Sequence, residues 1–307
     1  PAAIGAAAGA RIGHDGDHAL FGASPPPLPP RGDLGWLMRE RAAQLYAFSG
    51  VRHDLRYAFA PTPEGLDSYL GVALAQALRT LDDPQRLRIL AASGVRAVLV
   101  HRPLRLGGMS GDDPGAARQR LHLPAGQPGA DGVPRWRPLY ALELLRPIDE
   151  VRLVTDVRRA PDLNATLALL ASPTFDPRRT AVIEGNPAVV VPADAAARPP
   201  GTAQIVRATP HALTVDTDAA HDGLLVVQRA HLGLYRAAVD GAPATVQVAD
   251  FHRIGVSVPA GSHRVQLWID RRPAALAAVG SALGLLGLAL LALLARGRRT
   301  PQSRSAR

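Results

Sequence analysis

Apolar residues recur with a helical period in the upstream part of the chain and alternate with polar residues further downstream. Leucines at every third or fourth position over 65–81 predict an amphipathic helix. A second helix is predicted over 84–93, where Gly94 ends it, and the apolar run 95–100 that follows is typical of a buried strand. Further predicted elements are strands over 139–145, 151–157 and 180–184, helices over 34–49 and 161–171, and a long surface loop over 104–138. Residues 34–184 are thus predicted to form a small α/β layer.

Short alternating segments replace the helices from residue 203 onward. In the last two, over 254–258 and 264–269, the apolar residues lie at every second position, which is typical of antiparallel strands with one buried face. Asp240-Gly241 between two such segments predicts a tight hairpin turn. The other predicted strands are 205–208, 213–217, 224–228, 235–239 and 245–248. Together they predict an antiparallel β-sandwich over 203–271 that follows the α/β layer, an α+β fold class.

The segment 273–295 contains 23 residues and no charge. As a helix it would extend about 34 Å, which exceeds the roughly 30 Å hydrocarbon core of a membrane. It lacks the polar stripe of a surface helix, so the pattern predicts one C-terminal transmembrane helix. Gly280 and Gly284 are spaced for packing against another helix, although glycine is also common in such helices without that role.

The net positive charge is concentrated at this C-terminal end of the chain. The net charge is +9, yet every basic residue is an arginine and seven of the 35 lie at or after residue 271, where no acidic residue occurs. The rest of the chain is nearly neutral, which argues against nucleic acid as a partner. Because five of those seven arginines follow the apolar segment and two precede it, residues 1–270 are predicted to be extracytoplasmic and the basic tail 296–307 cytoplasmic. The arginine-only, Ala- and Pro-rich usage is typical of a GC-rich bacterial genome, so the predicted location is a bacterial inner membrane.

Two Pro- and Gly-rich stretches divide the rest of the chain. Residues 1–33 are predicted to be an entry segment, and residues 185–202 a linker between the α/β layer and the sandwich. The chain opens on Pro1, and residues 1–20 lack the charged start and apolar run of an export signal. We therefore expect upstream transmembrane helices that belong to the same protein.

Few clusters of residues have the composition of a chemical site. The absence of cysteine excludes disulfides and thiol catalysis. The run His14-Asp15-Gly16-Asp17-His18 contains metal-ligating residue types, but its Ala- and Gly-rich surroundings favour a solvated loop. Asp216 and Asp218 form a D-x-D pair of the kind that holds a metal and a sugar diphosphate in glycosyltransferases, although their place at a strand end favours solvation. No phosphate-binding loop or zinc-protease motif occurs, so we predict no catalytic, cofactor-binding or metal residue and no cofactor.

Three segments of the β-rich end resemble the C-terminal region of the YfhO-type bacterial membrane proteins. They are GLLVV at 223–227, YRAAVDG at 235–241 and VSVPAGSH at 256–263, followed by a last strand and a closing apolar helix. Upstream, residues 87–100 are similar to a helix-then-strand segment of these proteins, and Phe175-Asp176-Pro177 to their F-D-P motif. Where the family has Tyr-Pro-Gly-Trp, this chain has His-Leu-Gly-Leu-Tyr at 231–235, so the aromatic platform is reduced.

The resemblance covers residues 34–295 and implies a GT-C type glycosyltransferase that uses lipid-linked sugars to modify cell-envelope polymers. The catalytic acids of that family lie in an early outer loop, so this chain is expected to be the non-catalytic outer domain. The expected partners are membrane lipid, an envelope glycopolymer or lipid-linked sugar, and the upstream helices. Tyr235, Asp240 and His252 are the candidates for an acceptor-side or ligand surface. The alternative is a membrane-anchored extracytoplasmic binding module for a cell-wall polymer or a partner protein.

Overall fold

The computed structural model describes residues 11–14, 56–57, 68–125, 138–185 and 199–297. Within these residues the chain forms four helices and sixteen strands. The helices are α1 Tyr69–Leu78, α2 Asp83–Ala92, α3 Leu163–Ala171 and α4 Arg272–Gly297. The strands are β1 Arg11–His14, β2 Arg56–Tyr57, β3 Ala97–Val100, β4 Ala117–Leu123, β5 Leu139–Leu144, β6 Val151–Val154, β7 Asp156–Ala160, β8 Thr180–Glu184, β9 Thr202–Ala208, β10 Ala212–Ala219, β11 Gly223–Ala230, β12 Tyr235–Val239, β13 Ala242–Ala244, β14 Val246–Ala249, β15 Arg253–Val258 and β16 Gly261–Ile269.

The strands form three sheets that are mostly antiparallel. The helix-backed sheet has the order β2-β1-β3-β5-β4, and β1 runs parallel to both β2 and β3. The outer sheet, β13-β12-β16-β10-β9, is antiparallel throughout. The central sheet has the order β6-β11-β15-β14-β8-β7 and is antiparallel except between β7 and β8. The predicted α+β class with antiparallel strands is therefore confirmed.

The outer and central sheets pack face to face as a β-sandwich, because the alternating strands bury every second side chain between them. In β10, Leu213 and Val215 are buried, while Thr214 and Asp216, the residues that alternate with them, are partly exposed. Their core also contains residues of β6, β11, β12, β15 and β16. The opposite face of the central sheet buries a second, smaller set of apolar side chains.

The central sheet takes strands from both sides of the predicted linker. β6 pairs with β11 over Val151–Val154, and β8 pairs with β14 through Ile183 and Ala249. The side chains of Val151 and Leu153 lie in the same core as the strands beyond residue 203. Residues 186–198 of the predicted linker lie outside the described residues. On either side of them, the described chain belongs to or adjoins β8 of the central sheet and β9 of the outer sheet.

Helix α2 has both ends fixed by local hydrogen bonds. At the start, the Asp82 carboxylate accepts from the backbone N–H of Gln85 at 2.8 Å, and the Gln85 side chain accepts from that of Asp82 at 3.1 Å. At the end, Gly94 adopts a φ of +71°, and Val95 donates its N–H to the carbonyl of Leu90 at 3.0 Å. The predicted end of the helix at Gly94 is thus confirmed.

The first two helices are joined by Arg86 of α2, which is buried beneath the end of α1. Its Nε donates to the carbonyl of Leu78 at 2.6 Å, and Nη2 donates to that of Arg79 at 3.0 Å. These carbonyls lack partners inside α1, so the guanidinium supplies the missing donors at the negative end of the helix dipole. The apolar faces of α1, α2 and α3 then share one core with β3 and β5 of the helix-backed sheet.

Two predictions for the part of the chain before residue 139 need correction. The surface loop predicted over 104–138 contains β4, an edge strand that pairs with β5. The entry segment predicted over 1–33 contains β1, which lies between β2 and β3 in the helix-backed sheet. Neither strand shows apolar alternation over several residues, because β4 is largely exposed and β1 is only four residues long. The helix predicted over 34–49 lies outside the described residues.

Helix α4 leaves β16 after a connection of two residues and extends over 26 residues. The described side chains between residues 275 and 291 are exposed, and Leu276 is 72% exposed. No helix in the described part of the chain is both long enough and apolar enough to cross a membrane. The predicted span 273–295 includes Ala274 and residues 292–295, whose side chains lie outside the described residues, so the transmembrane helix stays a prediction.

Candidate functional site

The three residues predicted to form a ligand surface do not lie together on one surface. Tyr235 begins β12 with its ring directed into the sandwich core and is 7% exposed. His252 lies in the turn between β14 and β15 and is 2% exposed. Only Asp240, in the turn after β12, has an exposed side chain. Any surface site at this end is therefore built around Asp240 and its neighbours on β16.

Asp240 is held in a tight turn and bonds to the first residues of β16. Asp240 and Gly241 have φ values of +50° and +84°, the two left-handed positions of the predicted hairpin. One carboxylate oxygen accepts from His263 Nδ1 at 2.6 Å, and the other accepts from the backbone N–H of Arg264 at 2.7 Å. His263 Nε2 lies 3.0 Å from the carbonyl of Ala260, so a protonated ring satisfies both acceptors.

This arrangement shifts the pKa of both partners in opposite directions. The hydrogen bond that the His263 ring donates to Asp240, together with the one that it donates to the Ala260 carbonyl, raises the pKa of His263 above its usual value. The hydrogen bond from His263 and that from the backbone of Arg264 lower the pKa of Asp240. The turn therefore holds an ion pair at the exposed end of the sandwich.

The D-x-D pair lies beside this turn, on the outward face of β10, with both carboxylates engaged. Asp216 accepts from Nε and Nη2 of Arg264 at 2.7 and 2.9 Å, a bidentate pair. Asp218 accepts from the hydroxyl of Ser262 at 2.7 Å. No group of three metal-ligating side chains occurs among the described residues. Both carboxylates of the D-x-D pair thus bond to side chains of β16. Of the run 14–18, the structure describes only the backbone of His14.

A buried polar cluster, which the sequence did not predict, joins the helix-backed sheet to the central sheet. Arg152 of β6 donates to Asp250 at 2.5 Å, and the other oxygen of Asp250 accepts from the backbone N–H of Val182 at 2.9 Å. The Ser93 carbonyl, at the end of α2, accepts from Arg11 of β1 at 2.9 Å and from Arg253 of β15 at 3.2 Å. These bonds connect residues up to 160 positions apart, so no local pattern marks them.

His252 lies within this cluster, and its surroundings keep its ring neutral. Burial, together with the guanidinium groups of Arg253 and Arg11, holds the pKa of His252 well below its usual value. Its backbone carbonyl accepts from the N–H of His231 at 2.7 Å, which ties the loop before β12 to the turn before β15. His252 is thus a buried residue that connects two loops, and its ring is not accessible to a ligand.

The F-D-P segment lines a small surface pocket of about 110 Å³ beside α3. Phe175 is buried at its base, and the Asp176 carboxylate accepts from the backbone N–H of Arg178 at 3.0 Å. Across the pocket, Arg146 pairs with Asp112 at 2.5 Å. The charged groups that line it thus bond to one another, and nothing in the geometry directs them towards a ligand.

The opposite end of the sandwich is less polar and leads into α4. Asp270 connects β16 to the helix: its carboxylate accepts from the backbone N–H of Arg272 at 3.0 Å and lies 3.5 Å from Nη2 of Arg236. Its own N–H donates to the carbonyl of Leu234 at 2.8 Å. The start of the helix is thereby fixed to the sandwich by hydrogen bonds to both neighbouring segments.

No family model, curated protein or solved structure matches this chain. The resemblance to the YfhO-type proteins thus rests on the motif segments alone.

Proposed function

We propose that this chain is the membrane-anchored outer domain of a YfhO-like integral membrane protein, a GT-C type glycosyltransferase that acts on cell-envelope polymers. The observation that carries the proposal is the direct passage from β16 of the sandwich into α4, a helix of 26 residues. Leucines occur on every side of this helix, from Leu283 to Leu291. Packing against one protein surface would leave most of them in water, whereas the hydrocarbon of a membrane surrounds all of them.

The distribution of charge supports an extracytoplasmic body. Arg271 and Arg272 precede the apolar part of α4, and five arginines follow it within the last twelve residues. Basic residues that flank a span are retained preferentially on the cytoplasmic side. In this orientation the β-sandwich stands directly outside the membrane, on the side where envelope polymers are modified.

The motif segments that resemble the family lie in neighbouring strands of the sandwich. GLLVV at 223–227 lies in β11, YRAAVDG at 235–241 forms β12 and its turn, and VSVPAGSH at 256–263 joins β15 to β16. β11 pairs with β15, and β12 pairs with β16, so these segments are neighbours across both sheets of the sandwich. In this proposal they shape the outer domain, and the catalytic acids belong to another part of the protein.

The anchor can be tested with single cysteines, because the chain contains none of its own. Ser110 is exposed in the body, and Ser303 lies in the basic tail. With a cleavable export signal placed before Pro1, a membrane-impermeant maleimide should label the Ser110→Cys variant in intact spheroplasts. The Ser303→Cys variant should react only after the membrane is permeabilised.

The control replaces two leucines of α4, Leu285→Glu and Leu288→Glu, which should release the chain into the soluble fraction because carboxylates are costly in hydrocarbon. Release of the unchanged chain, or equal labelling at both positions in intact cells, would refute the anchor. The enzymatic part of the proposal requires further apolar spans and an acidic outer loop encoded upstream of Pro1. An export signal directly upstream would favour the anchored binding module instead.

A further inference from the structure

The loop between β11 and β12 places two leucines beside the start of α4. The N–H of Asp270 donates to the carbonyl of Leu234 at 2.8 Å, and the N–H of Tyr235 donates to that of Leu232 at 3.0 Å. Arg236 donates to the carbonyl of Gly233 at 3.3 Å from its Nη1. These bonds hold the loop against the two-residue connection that leads into the helix.

Apolar side chains are concentrated at this end of the sandwich. Between residues 199 and 271, four large apolar side chains are exposed, and three of them are Leu232 at 39%, Leu234 at 44% and Trp268 at 40%. Trp268 lies on the outward face of β16, directly opposite Arg236 of β12. We call Leu232, Leu234, Arg236 and Trp268 the helix-proximal rim. Exposed apolar side chains grouped in this way are typical of a surface that contacts a partner or a lipid phase.

The charges around the helix-proximal rim favour an anionic partner. Arg236 is half exposed, and Arg271 and Arg272, at the start of α4, are exposed as well. Asp270 is the acidic residue among them, and its carboxylate is largely buried between Arg236 and the start of α4. Leucine and tryptophan next to arginines are the side chains that occupy the boundary between lipid headgroups and acyl chains.

The short connection determines which surface the rim meets. β16 ends at Ile269 and α4 begins at Arg272, and the hydrogen bonds of Asp270 fix both to the loop. If α4 crosses the membrane, a connection of this length keeps the rim within a few ångströms of the headgroups. A second protein would have to displace lipid from the same place.

We propose that the helix-proximal rim rests on the anionic membrane surface, with Leu232, Leu234 and Trp268 inserted among the headgroups and Arg236 beside their phosphates. The inference rests on the proposed function, in which α4 anchors the chain. The sandwich then does not rotate freely above the membrane. Its polar end, around Asp240 and His263, points away from the lipid.

Bromolipid quenching of Trp268 tests this contact. The full chain, with Trp36→Phe and Trp136→Phe, is reconstituted into vesicles of phosphatidylcholine and phosphatidylglycerol, so that Trp268 is the single emitter. Its emission should shift to the blue and be quenched by lipids brominated near the headgroup end of the acyl chain. If either replacement prevents folding, the difference between the unchanged chain and its Trp268→Phe variant gives the same readout.

Matched variants distinguish contact of the helix-proximal rim with lipid from anchoring by α4. Leu232→Ser with Leu234→Ser should reduce the quenching, whereas Leu145→Ser, an exposed leucine elsewhere, should leave it unchanged. A chain that stays with the vesicles while Trp268 is quenched only by aqueous iodide refutes the rim contact and leaves the anchor intact. A Trp268 shielded from both quenchers refutes it in favour of a protein partner. A chain that does not associate with the vesicles refutes the proposed function itself.

Discussion

A single carboxylate, that of Asp250, pairs with the buried guanidinium of Arg152 and also accepts a hydrogen bond from a buried backbone N–H. Its side chain accepts from Arg152 and from the N–H of Val182, and its backbone has a φ of +45°. Asp and Asn tolerate this left-handed conformation better than most residues. Position 250 thus requires both a left-handed backbone and a negative charge. The next residue, Phe251, also has a positive φ, +75°, and its side chain packs in the core that α1, α2 and α3 share.

Replacing Asp250 by Asn should destabilise the chain by about 3 kcal/mol, because it leaves the Arg152 guanidinium buried without its counter-charge. The matched control is Asp149→Asn, whose pair with Arg96 is exposed and should contribute less than about 1 kcal/mol. Urea unfolding in mild detergent, followed by circular dichroism, measures both. Equal effects of the two substitutions would show that the buried pair contributes no more than a surface one.

The ion pair of Asp240 and His263 should make stability depend on pH. Because the pKa of His263 is raised in the folded state, its contribution is complete below about pH 6.5 and is lost as the pH rises through the folded value. Because the pKa of Asp240 is lowered, its contribution is present above about pH 3.8 and is lost as the pH falls through the folded value. The pair is therefore at full strength between those limits.

We accordingly expect the wild-type chain to exceed its His263→Gln variant in melting temperature by more at pH 5.5 than at pH 8.5. Thermal unfolding at the two pH values measures the difference. His221→Gln, in the turn between β10 and β11, is the control. A difference in melting temperature that increases towards high pH would contradict the ion pair.

At the level of elements, the end of α2 requires a glycine at position 94. Gly94 terminates the helix in a left-handed conformation, and a Cβ there would lie 3.3 Å from Nη1 of Arg11 and 3.4 Å from Cγ of Gln228. The same turn presents the Ser93 carbonyl to Arg11 and Arg253. The residues that end α2 thus also connect the helix-backed sheet to the central sheet.

Gly94→Ala should therefore cost about 1–2 kcal/mol in the free energy of unfolding, since an L-residue is strained at this φ and the neighbours are close. Gly107→Ala, at a glycine without positive φ and with open space around its Cα, should change stability by less than about 0.5 kcal/mol. Urea unfolding compares the two. If Gly94→Ala left the free energy of unfolding unchanged, the turn would be able to relax without losing the hydrogen bonds of the Ser93 carbonyl.

At the level of the whole molecule, the sandwich depends on strands from the upstream half of the chain. β6 covers one edge of β11 and adds Val151 and Leu153 to the shared core. Gly201 approaches this strand closely, and a Cβ there would lie 2.5 Å from the Leu153 side chain. The unit that folds must accordingly include the strands before residue 185.

A fragment of residues 147–271 should consequently unfold cooperatively, whereas residues 203–271 alone should show a weaker and broader transition. The shorter fragment lacks β6, β7 and β8 and leaves the edge of β11 without hydrogen-bond partners. Circular dichroism during urea titration compares the midpoints and slopes of the two. An equal midpoint for residues 203–271 would show that the upstream strands are dispensable.

The sequence determined those features whose cause is local. The capping residues and Gly94 specify α2, Asp240-Gly241 specifies its hairpin, and alternation of apolar residues specifies most strands of the sandwich. The apolar composition of 273–295 also predicts a membrane helix, which stays a prediction. Each of these follows from the preferences of a few consecutive residues for one backbone conformation or one solvent.

Only the tertiary structure decided which strands pair and which polar residues are buried. β1 and β4 carry no apolar alternation, so only their partners identify them as strands. His252 and Asp250 look like ordinary turn residues, yet the fold buries both and brings Arg152 to Asp250 across 98 positions. The helix-proximal rim combines a loop, an outward face of β16 and a helix start. Such combinations depend on long-range packing, which short sequence patterns do not encode.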